Sequence, residues 1–158
     1  MKKLVLIILS AAMLALSLTG TAIAAPAPQA NGSGSVDLSV YGYGDFDFNF
    51  HARQEDPVTE TATGKVRLAW DEGEVKVSLN GDIRYMAIGD NNAWIGFVVD
   101  NGIQQESYVI EIEDGETDYI SAPFMVSSAS DARSRPDFST QGEGSQWFSV
   151  SRGNIRIK

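Results

Sequence analysis

Residues 45–53, DFDFNFHAR, alternate without a break. Phe46, Phe48, Phe50 and Ala52 fall on one side, and Asp45, Asp47, Asn49, His51 and Arg53 on the other. Successive side chains of a strand point to opposite faces, so this run suits a half-buried strand; on a helix the same apolar residues would scatter around the cylinder. One apolar and one polar face mean an antiparallel sheet with one wet side. The same period recurs in Val36, Leu38 and Val40, in Val66, Leu68 and Trp70, in Val75, Val77 and Leu79, and in Tyr108, Ile110 and Ile112. Turn residues separate these runs at Asp71–Glu74, Gly89–Asn92, Asn101–Gly102 and Gly153, with a loop expected over 55–64. Helix periodicity is nearly absent. The reading is all-β: a single antiparallel sandwich or closed barrel of about eight to nine short strands.

The first 24 residues have the layout of a secretory signal. Lys2 and Lys3 precede the apolar run Leu4–Leu18, and Ala22-Ile23-Ala24 supplies small residues for cleavage. The run is short for a bilayer span, and no cysteine follows it to carry a lipid. The expected location is extracellular, or periplasmic in a cell with an outer membrane, with no stable membrane span once the signal is removed. Residues 25–35, APAPQANGSGS, read as a Pro/Gly/Ser-rich tether, and residues 36–158 as the β-domain. A domain of this size can bury enough apolar surface to fold without disulfides, and the chain has no cysteine. The formal net charge is −9, and loss of Lys2 and Lys3 makes it more negative. Such a charge argues against nucleic acid and anionic lipid as partners.

The hairpin around Asp90-Asn91 carries the most apolar stretch, Ala93–Val99. A tight turn there pairs Ile88 with Ala93, Ala87 with Trp94, Met86 with Ile95, Tyr85 with Gly96 and Ile83 with Val98. One face then holds Ile83, Tyr85, Ala87, Trp94, Gly96 and Val98, and the other Met86, Ile88, Ala93, Ile95, Phe97 and Val99. Both faces are apolar and each needs a cover. Either the long polar connection 127–145 or a chain end covers the first face, or Ile83, Tyr85, Trp94 and Val98 line a ligand cavity or contact patch. Tyr85 opposite Gly96 also suggests an aromatic ring lying over a glycine.

These segments resemble a family. The strand Phe46-Asp47-Phe48-Asn49, the hairpin Asp90–Gly96, the turn Glu113-Asp114-Gly115-Glu116 leading to Asp118-Tyr119-Ile120-Ser121, and the closing Gly153-Asn154-Ile155-Arg156-Ile157 are similar in order and spacing to the post-COAP-type family of secreted bacterial and archaeal β-domains. The resemblance spans residues 36–158. Asp90 departs from it where a turn glycine is usual, and the stretch between Glu116 and Asp118 is short and without proline. It implies an all-β extracellular domain and no known enzyme activity.

Catalytic chemistry finds little footing. A Ser-His-Asp triad would have to use His51, the single histidine, on the wet face of a strand, and no G-x-S-x-G elbow is present. One imidazole and no thiol suit neither zinc nor copper. A carboxylate-pair hydrolase would need two acids facing each other across a cleft, and most acids here lie in turns. Gly42 and Gly44 precede a strand rather than a helix and read as a bend. Asp114, Glu116 and Asp118 form the densest acidic turn and are the candidate Ca²⁺ ligands, against a plain solvated turn. Arg133 and Arg135 form the one local basic cluster of the long connection, which could hold a helical turn near Ser130–Arg133. The expectation is a non-catalytic binding module with no required cofactor. Its partner would be an extracellular protein, a glycan or an apolar small molecule; the alternative is a lipocalin-like barrel carrying an apolar ligand.

Overall fold

The computed structural model describes residues 25–41, 44–130 and 147–158. The leader, Gly42, Arg133, Arg135 and most of the 127–145 connection lie outside them. The elements are β1 (Gln29–Asp37), a 3-10 turn (Ser39–Tyr41), β2 (Asp45–Asp56), β3 (Thr61–Glu72), β4 (Val75–Ile88), β5 (Asn92–Asp100), β6 (Gln105–Glu113), β7 (Tyr119–Ser121), β8 (Phe124–Val126), β9 (Trp147–Ser149) and β10 (Arg152–Ile157). They form one strongly curled antiparallel sheet, a half-barrel, in the order β10-β1-β2-β3-β4-β5-β6-β7-β9, with β8 paired to β6 off this path. All-β antiparallel architecture is therefore found, as one curled sheet.

Strand β2 alternates buried and exposed residues from Phe46 to Gln54, as its sequence requires. Its phenylalanines enter the concave side. Phe46 lies 6.1 Å from Trp70 of β3 and 6.5 Å from Phe148 of β9, so the curl brings distant strands into contact. Phe48 stacks on Phe50 and Phe97 on Tyr108. Leu68, Ile83, Met86, Ile95, Ile110, Ile112, Ile120 and Ile155 complete this core, each almost free of solvent. Burial pushes the Tyr108 phenol up to about 12, assisted by the hydrogen bond and charge of Glu106.

The expected tether is largely a strand. Residues 29–37 form β1, paired on one side with β2 and on the other with β10. Ala30, Gly32, Gly34 and Val36 make its inner row. Gly32 faces Phe50 and Gly34 faces Phe48, and a Cβ at Gly32 would overlap the Phe50 ring. The glycines that suggested a flexible linker leave room for aromatic rings instead.

Three other expectations change. Val40 is 82% exposed, because Asp37 accepts a hydrogen bond from Ser39 N–H and turns the chain before Val40 can continue the strand. The expected loop over 55–64 shrinks to a turn at 57–60, since β2 and β3 run on to Asp56 and from Thr61. The Val75–Leu79 run and the Ile83–Ile88 arm of the hairpin, expected as separate strands, are one strand of 14 residues, β4. Gly81 sits in its interior because Phe97 Cδ2 would lie 2.6 Å from a Cβ there.

Candidate functional site

The 82–99 hairpin has the expected register from Ile88↔Ala93 to Tyr85↔Gly96. Arg84 then bulges, and Ile83 pairs with Phe97 rather than Val98. An extra residue reverses the side-chain parity. Ile83 thus joins the main core, leaving Tyr85, Ala87 and Trp94 to form a second buried cluster with Val109 and Val126. The four proposed ligand contacts are therefore not one surface. Ile83 is in the concave core, Tyr85 and Trp94 are 3% and 9% exposed on the opposite face, and Val98 is half-buried in a separate groove.

The chain supplies its own cover for Tyr85 and Trp94. After β8 it returns across the sheet, and the backbone carbonyl of Ala129 sits on Gly96, where no side chain could fit. That carbonyl, rather than the Tyr85 ring, occupies the space over the glycine. Glu111 pairs with Trp94 across the strands, is 1% exposed, accepts a hydrogen bond from Asn92 Nδ2 at 3.2 Å, and its backbone N–H donates to Ser121 Oγ at 2.9 Å. This buried carboxylate escaped sequence reasoning because YVIEIE reads equally well with Glu111 on a wet face.

The acidic turn lies against β10. Asp118 Oδ2 accepts the backbone N–H of Ile155 at 2.7 Å, and Asp114 Oδ2 accepts that of Ile157 at 2.8 Å. Val150 N–H also donates to the Asp118 carbonyl at 2.9 Å. Glu116 is exposed. Two of the three candidate calcium ligands thus each give one carboxylate oxygen to the outer edge of β10, and among the described residues no group of three or more acidic, histidine or cysteine side chains clusters as a metal site. We expect Asp118→Ala to cost about 1–2 kcal/mol by leaving a part-buried N–H without its acceptor, measured by urea denaturation. An unchanged midpoint would show that this bond adds nothing to the fold.

His51 is exposed on the outer face and bonds Asn31.

A different feature emerges where β4 and β5 diverge. Their pairing ends at Asp82↔Val98. From Gly81 back to Val75, β4 is paired only with β3, through Val66↔Gly81 to Glu72↔Val75. Among the described residues no strand lies along its other edge. At the fork lies a groove of about 340 Å³, lined by Asn49, Lys65, Arg67, Asn80, Asp82 and Arg84, with Val98, Asp100 and Gln105 on its far wall. Lys65 bonds Asp82, and Arg84 reaches the same carboxylate at 4.0 Å. The Lys65 hydrogen bond, and then the charges of Lys65 and Arg84, hold the Asp82 carboxyl below its usual range. Arg67 is exposed and has no ion pair among the described residues. With Lys65, Arg67 and Arg84 against Asp82 and Asp100, the groove has a positive excess of one charge on a chain of net charge −9. Sequence alone could not place it, since its residues come from five strands and look like ordinary wet-face positions.

Comparison with known proteins adds no kinship. No family model, no curated protein and no solved structure matches the chain.

Proposed function

We propose that the chain is a non-catalytic interaction module, acting outside the membrane, that takes an extended polypeptide along the edge of β4. The observation that carries this is the edge from Val75 to Gly81, which no strand among the described residues pairs and which opens into the groove at the fork. An exposed row of backbone N–H and C=O groups is a template for strand addition: main-chain hydrogen bonds give affinity and neighbouring pockets give selectivity. Arg67 favours an occupant with a carboxylate at the groove end.

A glycan platform has less behind it. Trp94 is buried, Trp70 packs on the core and Trp147 meets Tyr119 edge-on, so no coplanar exposed tryptophans offer stacking. An apolar carrier competes with a concave side occupied by Phe46, Phe48, Phe50 and Phe97. We also read the half-barrel as a barrel closed by side chains, with Asp114 and Asp118 standing in for a missing strand pair beside β10. The leader and the resemblance to post-COAP-type domains support action outside the membrane.

The test uses synthetic eight-residue Thr/Val peptides ending in Glu or in Lys. The expected result is slower amide exchange at Lys76, Ser78 and Asn80, tighter binding of the Glu peptide, and loss of that preference in Arg67→Ala. Peptides that bind without protecting these amides, or fail to bind, would remove the reading.

A further inference from the structure

We infer that the occupant of the β4 edge is a second copy of this chain, paired antiparallel about a two-fold axis at Val77. The inference rests on the edge-binding reading above and names its partner.

Residues directly opposite in an antiparallel pair share a face, so a two-fold pairing must centre on a residue. Few centres are available. Centring on Lys76 sets that charge against itself. Centring on Ser78 opposes Glu74 to Asp82 of the second copy, and like charges directly opposite are destabilising. Centring on Leu79 needs the edge at Asp82, which β5 already occupies. Centring on Val77 meets none of these obstacles. It sets Val77 against Val77 and Val75 against Leu79 on the inner face, where Val77 and Leu79 already continue the row of Trp70 and Leu68. On the outer face it sets Lys76 against Ser78 and Glu74 against Asn80.

The same register carries the acidic tip Asp71–Glu74 of each copy to the groove of the other. Glu74, at the start of the outer-face row, falls opposite Asn80, the cross-strand neighbour of Arg67, which has no ion pair among the described residues. Charge complementarity thus joins an apolar ladder and a run of backbone groups that no described strand pairs. Val75 is 63% exposed in the single chain, and the pairing gives it a partner. A seven-residue edge is smaller than the roughly 1,600 Å² of a standard interface, so the dimer is weak and concentration-dependent. The net charge opposes it at low salt and is screened within about 8 Å at 0.15 M ionic strength.

Sedimentation of the secreted chain at ~0.15 M salt, from about 10 µM to 1 mM, is the experiment. The weight-average mass should rise toward twice the monomer, with exchange at Lys76, Ser78 and Asn80 slowing in parallel. Val77→Lys, which opposes two ammonium groups at the axis, should leave a monomer throughout. Because that residue is half-buried, Ser78→Asp on the exposed face serves as the second variant. It places a carboxylate opposite Lys76 twice and should tighten the dimer several-fold, whereas a Ser78-centred register would weaken it. A monomer at every concentration overturns the inference, as does a dimer indifferent to both substitutions. A monomer whose edge amides are already protected also overturns it, by placing a segment of the same chain there. If the chain stays monomeric but the Thr/Val peptides protect the edge, only the choice of partner fails; if neither occurs, the edge-binding reading fails as well.

Discussion

Truncating Phe50 to alanine should lower stability by about 3–5 kcal/mol, and the loss should be partly repaired by a second change on another strand. Phe50 is 2% exposed, stacks on Phe48 at 6.1 Å, and lies over Gly32 across the β1–β2 pair. Its removal leaves a cavity against the backbone of β1. Gly32→Val alone should cost about 1–3 kcal/mol, because the new side chain enters the volume of a ring held on all sides. In the Phe50→Ala background the same valine fills vacated space and adds β propensity, so the double variant should be more stable than Phe50→Ala alone. Urea denaturation of the four proteins measures the coupling, expected at about 1–3 kcal/mol. Simple additivity would mean that Gly32 is not kept small by the ring, and that β1 owes its glycines to something else.

The second large effect is expected at Gly96. Gly96→Val should cost about 2–3 kcal/mol and loosen the segment that follows β8. A Cβ at this position would overlap the Ala129 carbonyl, which is backbone and cannot rotate away, and would also come within 3.2 Å of Tyr85 Cβ. Either the strand or the covering segment must shift. The covering segment is held by Val126 against Tyr85, Ala87, Trp94 and Val109, a much smaller cluster than the concave core, so it is the side that gives way. In a Trp70→Phe, Trp147→Phe background, Trp94 emission should move to longer wavelength and acrylamide quenching should increase. A variant of parental stability with Trp94 still shielded would show that the segment over Gly96 is not what buries this face.

Much of the fold could be read along the chain. The Phe46–Ala52 alternation placed β2 and its inner face, and Gly89–Asn92 set the register of the β4–β5 hairpin as far as Tyr85. The turn at Asn101 and Gly102 is found as expected, with the Asn101 side chain accepting the N–H groups of Ile103 and Gln104 and Gly102 at φ 79°. These features are local: a two-residue period and a turn depend on neighbours a few positions away.

The errors share a different origin. The bulge at Arg84 leaves no mark in composition, because inserting one residue changes parity without changing any residue type. Gly32 and Gly34 carry the same letters in a linker and beneath a phenylalanine ring. The hydrogen bonds of Asp114 and Asp118 to β10 were likewise hidden, because they depend on a strand 37 to 43 residues away arriving beside them.

The sequence by itself determined that the chain forms antiparallel strands with one apolar face each, because side-chain direction follows from position along a strand. Only the tertiary structure decided which residues meet across the curl, that Ala129 covers the Trp94 face, and that β4 outruns β5 to leave an edge and a groove. Those depend on where strands of unequal length, 14 and 9 residues here, begin and end against each other, and on contacts between segments far apart in the chain.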